Sequence, residues 1–297
     1  MQYAEPVQLR QVRDFSQIIA TTITFLKQNW RQLFRAIAVF SLPAALIGGF
    51  LAGGSVAGLQ RMSMNPGGDP TAILENMGSS VIGMIPGYIL LLFGYVVLAA
   101  VVHEYLRAYH LGEHHILGPV DLLKRAFSQL GSYFGASFLI GLLSVVAVIL
   151  CIFPVFYVMT VLSLSLMAHA IERTGGSGAL ARSNKLVQGD FWPTLGLVMV
   201  VGIINYLLNV VVQLPFTIVN LVVGINTGMD MAREGGSSSG FPSWYGIFMS
   251  IGVAVQWSAM MLTYPIVAVA MGLKYFSRVE ETEGHGLKER IAGFEQA

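Results

Sequence analysis

Histidines and carboxylates gather at two places in the chain. His103, Glu104, His110, Glu113, His114 and His115 form one group, and His169 with Glu172 forms another. Imidazole and carboxylate are zinc ligands. On a helix, His169 and Glu172 share a face at a spacing of three, and His103 and His110 share one at seven. His114 and His115 fall in what reads as a loop, so spacing alone converges no full ligand set. Interfacial polar residues explain the groups better than a metal centre; His103, His169 and Glu172 are the metal candidates that remain, and no cofactor is expected.

A second set is made of amides. Asn205, Asn209 and Gln213 recur every four residues and stack along one helical face. Gln256 and Ser258 on the sixth span, and Ser163 and Ser165 on the fourth, could face them. Amides in an apolar segment must find partners away from lipid. They read either as interhelical hydrogen bonds of about 0.6 kcal/mol each, or as the lining of a pocket or path for a small polar solute or lipid headgroup. Asn205, Asn209, Gln213 and Gln256 are therefore the candidate ligand-binding residues.

Gly175-Gly176-Ser177-Gly178 spells the GxSG of intramembrane serine proteases. That chemistry needs the serine inside the membrane with a histidine in reach; here the serine reads as part of a cytoplasmic link. No phosphate loop, dinucleotide fingerprint or pair of intramembrane carboxylates occurs in the sequence, and no enzymatic activity is expected. The span interiors read as free of charge, which argues against ion-coupled transport.

The surrounding chain is 55% hydrophobic and 11% charged, with mean hydropathy +0.67. Soluble domains carry about 25% charge, so this composition belongs in a membrane. A net charge of +1 gives no case for nucleic acid. The single Cys151 can form no disulfide within the chain. Met1–Gln8 is polar, so targeting is expected to fall to the first span.

The forty-six residues 126–171 contain no Asp, Glu, Lys or Arg. A bilayer core of about 30 Å takes roughly 20 helical residues, so this run predicts two spans, Tyr133–Cys151 and Val155–Ala170, turned at Pro154. Before them, Val12, Phe15, Ile19, Ile23, Leu26, Trp30 and Leu33 mark one helical face. That predicts a helix lying on the membrane surface or packed on the protein's own spans. Span 1 is expected over about 33–58, bent at Pro43, with Gly49/Gly53 and Gly54/Gly58 spaced for close backbone approach. A loop over 60–80 and span 2 over about 81–102 follow. The charged connector 103–129 turns helical from Pro119 to Leu130, with Val120, Leu123, Phe127 and Leu130 on its apolar face.

After the glycine link, 179–188 reads as amphipathic. Span 5 is expected over about 192–213, giving way past Pro215 to an irregular or surface segment. A flexible loop over 230–243 leads to span 6, about 244–275, and a polar tail, 277–297, in which Leu287, Ile291 and Phe294 could form a short helix. The expected fold is all-α and integral to the membrane, a single domain with six transmembrane helices and interfacial helices beside them. Of the seventeen Lys and Arg, fifteen fall on one side of this arrangement, leaving Arg61 and Arg233 opposite. The positive-inside rule puts the fifteen, and both termini, in the cytoplasm.

An amphipathic segment, a polar break with aromatics and a span recur three times. The breaks are Lys27–Arg31, Ser128–Phe134 and Val187–Trp192. They suggest three units, about 9–108, 116–173 and 177–276, around a pseudo-threefold.

Glu172, the run Ala179-Leu180-Ala181-Arg182-Ser183 and the run Leu186-Val187-Gln188-Gly189-Asp190-Phe191-Trp192 together resemble the segment after the fourth span in the membrane domain of glycerophosphoryl diester phosphodiesterases. Related stand-alone bacterial membrane proteins share it. The resemblance covers some 25 residues closely and implies a bacterial multi-pass fold without catalysis, because no phosphodiesterase barrel accompanies it. The expectation is a non-enzymatic accessory or scaffold protein of the bacterial inner membrane. It would touch membrane lipids and either a protein partner or a second copy of itself. The alternative is a transporter or binder of a small polar solute or lipid through the amide stripe.

Overall fold

The computed structural model describes residues 6–63, 70–113, 118–150, 152–233 and 241–284. Among these the secondary structure is helical, with no strand. The helices are α1 (Phe15–Ser63), α2 (Pro70–His110), α3 (Pro119–Ser128), α4 (Leu130–Leu150), α5 (Ile152–Leu162), α6 (Ser165–Glu172), α7 (Gly176–Val187), α8 (Phe191–Arg233) and α9 (Tyr245–Glu283). Six stretches are long and apolar enough to cross a membrane: Ser41–Gln60, Leu74–His110, Leu130–Ile149, Pro154–Glu172, Phe191–Asp230 and Tyr245–Glu283. The chain is an all-α, multi-pass membrane protein.

Helix ends depart from the expected ones for a common reason. α1, α2, α8 and α9 hold 49, 41, 43 and 39 residues. At 1.5 Å per residue each runs to about 60 Å or more, twice the ~30 Å that sets the length of a minimal span. The expected surface helix 12–33 is thus the first part of α1 rather than a separate element. Ile18, Phe25 and Leu33 are buried in the protein, whereas Val12, Phe15, Ile23 and Trp30 of the expected apolar face remain exposed. α2 begins inside the expected 60–80 loop and continues through His103 and Glu104, which were assigned to the connector. α8 passes Pro215 without a break, so 216–228 is helical and not irregular.

Pro43, Pro86, Pro215 and Pro265 all lie inside helices. Each removes one backbone hydrogen bond, a loss that neighbouring helices and local adjustment make good in apolar surroundings. Pro154 stands in the first turn of α5, where a missing N–H leaves nothing unpaired.

Two other expected features shift. α7 starts at Gly176, inside the supposed flexible link. The polar tail is helical as far as Glu283, with Ser277, Arg278 and Val279 buried. Of the three aromatic breaks, Lys27–Arg31 lies inside continuous α1. The second and third fall at real helix junctions, Gln129 capping α3 and Gly189 taking φ +85° before α8. His114, His115, Cys151, the Ser237–Ser239 linker and the 287–294 segment lie outside the described residues.

The chain forms two compact units. The first comprises Met1–Ile37, Val96–Asn205 and Tyr264–Ala297, and the second Ala38–Tyr95 and Tyr206–Thr263. The first holds α3 to α7 and one part of each long helix; the second is built from the remaining parts of α1, α2, α8 and α9. The large core of the first unit gathers Phe25, Tyr133, Tyr275 and Phe276 among aliphatic residues.

Candidate functional site

In the first unit the histidine and carboxylate candidates are brought near one another, but by ion pairs and aromatic contacts. Glu104, 1% exposed, sits in the last turns of α2. Arg173 grips it with two bonds, Nη1 to Oε1 at 2.7 Å and Nη2 to Oε2 at 2.8 Å. Tyr133 donates to Oε1 at 3.1 Å. Arg173 caps α6 in the left-handed region at φ 55°, where a non-glycine residue carries strain. A buried carboxylate needs such a partner, because desolvating a lone charge costs several kcal/mol.

The rings of His103, Tyr133 and His169 lie close together. Tyr133 meets His169 edge-on at 4.7 Å, and His103 is 6.3 Å from Tyr133. His103 Nδ1 lies 2.8 Å from the Ala99 carbonyl, and His169 Nδ1 contacts the Thr174 carbonyl. A carbonyl only accepts, so in both rings Nδ1 carries the proton. Glu172, instead of joining the histidines, accepts from Tyr275 at 2.7 Å and pairs with Arg182 at 2.6 Å. No group of three or more metal-ligating side chains is found among the described residues. Among the described residues, His103 and His169 face aromatic rings, and Glu172 pairs with an arginine.

Further ion pairs repeat the theme. Arg182 also meets Glu283 at 2.5 Å. Burial works against the Arg182 charge, but the bonds to Glu172 and Glu283 outweigh it and hold its pKa above the ordinary value. Asp190, immediately before α8, takes Lys274 at 2.6 Å and accepts the Thr194 hydroxyl at 3.0 Å. Arg278 donates Nε to the Leu186 carbonyl at 3.0 Å. Sequence reasoning placed no charge inside the spans, yet Glu104 and Lys274 are buried within candidate span segments. The available signal was Glu104 itself, set in the apolar run from Val96 to Leu106.

The fourth candidate span is broken. α5 ends at Leu162 and α6 begins at Ser165, which the sequence reading missed. The exposed backbone groups are met by hydroxyls: Ser183 on α7 donates to the Val161 carbonyl at 2.5 Å and accepts from Leu164 N–H at 3.2 Å. Ser165 donates to the Leu162 carbonyl at 2.5 Å. Beside this break lies a cavity of about 380 Å³ within the first unit. Leu166 and Met271 contribute to its apolar wall, and His103, Ser144, Ser163 and Tyr264 are its polar residues.

The amide stripe divides between the units. Asn205 falls in the first; Asn209, Gln213 and Gln256 fall in the second. Asn209 is 9% exposed and donates Nδ2 to Thr263 Oγ1 at 3.0 Å. The Oε1 atoms of Gln213 and Gln256 are buried with no hydrogen-bond partner among the described residues. Tyr245 contacts Asn220 at 2.5 Å in the same unit and also contacts Gln60.

Glycines set the spacing of this second unit. A Cβ on Gly49 would stand 2.5 Å from the Ala254 Cα, and one on Gly53 would collide with the Ser250 Cα. Gly49 and Gly53 therefore seat α1 against Ser250 and Ala254 of α9, two pairs of small residues at matching four-residue spacing. The glycines serve packing within the chain.

No family model, curated protein or solved structure matches this chain.

Proposed function

We propose that the chain is a non-enzymatic accessory or scaffold protein of a bacterial inner membrane, with both termini in the cytoplasm. The observation that carries this reading is how the first unit uses its charges. Glu104 with Arg173, Glu172 with Arg182 and Glu283, and Asp190 with Lys274 are spent on one another. They tie α2, α6, α7, α8 and α9 into a fixed platform. On α3, Leu122, Leu123 and Ala126 are buried, while Val120 and Phe127 remain 63% and 43% exposed beside Lys124. An apolar and basic edge of this kind suits a membrane interface or a partner.

The likeness to the membrane domain of glycerophosphoryl diester phosphodiesterases belongs to the same proposal. Its residues have definite tasks: Glu172 and Arg182 pair, Ser183 satisfies the broken helix, Gly189 takes a positive φ and Asp190 holds Lys274. The positive-inside distribution supports the orientation.

Co-purification in mild detergent after crosslinking in cells tests the scaffold role. A stoichiometric protein partner is expected; a chain that is recovered alone and monomeric overturns it. Orientation is tested with single cysteines at Ser238 and Lys288 in a Cys151→Ser background. An impermeant thiol reagent on intact cells should reach position 238 and spare 288, and the reverse pattern inverts the topology.

A second reading, a binder of a small polar solute, is favoured by one observation. The Gln213 and Gln256 oxygens are buried acceptors facing no protein donor among the described residues, and a solute rich in N–H or O–H groups would satisfy both.

A further inference from the structure

The cavity beside the broken helix offers the clearest chemistry that the scaffold reading leaves unused. Its volume of about 380 Å³ lies within the ~300–1,000 Å³ of small-molecule sites, which are mostly apolar with a few placed polar groups. The nature of those groups selects the ligand. His103 is 3% exposed, and its Nδ1–H is committed to the Ala99 carbonyl. Its Nε2 in the neutral ring is therefore an acceptor, and no described residue donates to it.

The two serines have made the same commitment. Ser144 donates its hydroxyl to the Ile140 carbonyl at 2.8 Å, and Ser163 donates to Thr160 at 2.8 Å. Each keeps oxygen lone pairs and has no proton left to give. Among the described residues, no lysine, arginine, aspartate or glutamate lines the cavity.

We propose that this cavity binds the hydroxyl end of an uncharged long-chain amphiphile, a lipid alcohol, with the hydroxyl donating to His103 Nε2 and the chain lying along the apolar wall. A carboxylate or phosphate head brings only acceptors and a charge that nothing here neutralises. An ammonium head brings donors, but its charge meets no carboxylate. Tyr264 also lines the cavity and has bonding of its own; among these heads a hydroxyl alone can donate to His103 Nε2 without bringing a charge. Leu166 and Met271 supply contact for the chain, and the break at Ser163–Leu164 places one serine at the mouth of a helix end instead of along a continuous helix.

The test is photolabelling of the full-length protein in detergent with three diazirine probes of equal chain length: a primary alcohol, its methyl ether and the matching carboxylic acid. The alcohol should label saturably on peptides carrying Ser144 or Ser163, at least about fivefold better than the ether or the acid, as expected for one hydrogen bond gained against one acceptor left empty. Ser144→Leu fills the cavity and should abolish that labelling at an unchanged melting temperature. His103→Phe keeps the volume and removes the acceptor, so it should equalise alcohol and ether. Equal labelling by all three probes in the wild-type protein overturns the proposal, as does a folded Ser144→Leu protein that still labels like wild type. If Ser144→Leu fails to fold, the His103→Phe arm decides: a preference for the alcohol that survives there overturns it.

Discussion

The two units are held together by different physics. In the first, directional bonds do most of the specifying: a bidentate arginine on Glu104, a lysine on Asp190 and a serine that satisfies a broken helix. In the second, backbones approach until only hydrogen fits, at Gly49 and Gly53 against α9, and at Gly48 and Gly87 against each other. Buried charge pairs tolerate no loss of one partner; close glycine packing tolerates no gain of volume. The first unit should therefore be fragile to truncation and the second to enlargement.

The largest effect is expected where truncation strands a charge. Arg173→Ala leaves the Glu104 carboxylate buried with Tyr133 and the more distant Arg107, at 4.0 Å, to stabilise it, at a cost of about 3 kcal/mol. The double variant Glu104→Leu/Arg173→Leu removes both charges and should recover most of that loss. Thermal unfolding in detergent measures both. A double variant no more stable than Arg173→Ala would show that the pair is not what binds α2 to the end of α6.

Enlargement in the second unit comes next. Gly53→Leu drives a side chain into the Ser250 backbone and should cost about 2 to 3 kcal/mol. Gly202→Ala, on the part of α8 in the first unit, meets nothing within 4 Å and should gain about 0.5 kcal/mol or more, as alanine does over glycine within a helix. If Gly53→Leu stabilises as Gly202→Ala does, helix propensity and not close packing governs the second unit.

How far the sequence alone carried this contrast depends on the range of each interaction. The six apolar segments were legible because lipid leaves a helix little choice, and hydropathy is a local property. Gly49 and Gly53 were legible for the same reason: the signal is a spacing within one helix. The long helices were cut short because a bilayer thickness was used to end them, and prolines were read as stops that apolar surroundings in fact absorb. What could not be read was partnership across the chain. Glu104 and Arg173 are 69 residues apart, and Ser183 meets Val161 from another helix. Of the candidate site residues, the amides at 209, 213 and 256 do fall in one unit, while Asn205 belongs to the other and His103, His169 and Glu172 serve aromatic and ionic contacts.

Ser183→Ala probes the first unit more gently. It deletes the donor to Val161 and the acceptor for Leu164 while leaving the helices and charges alone, and should cost about 2 kcal/mol, the desolvation of two stranded backbone groups. Hydrogen exchange at Leu164 should quicken with it. Unchanged exchange there would mean that the break is stabilised by α6 itself, through Ser165.

The smallest effect distinguishes glue from path in the second unit. Asn209→Leu removes one interhelical bond to Thr263, and such bonds average about 0.6 kcal/mol inside membranes. If that bond is all the residue does, the stability change stays near this value and cellular function survives. The Gln213→Leu variant then stabilises slightly, because it replaces a buried oxygen that has no partner among the described residues with apolar surface. If the amides instead hold a solute, both substitutions leave stability within the same narrow range but abolish function together, since each removes a group that the solute must meet. A pair of melting curves that barely move beside an intact phenotype settles the stripe as packing; the same curves beside a lost phenotype make it a binding site.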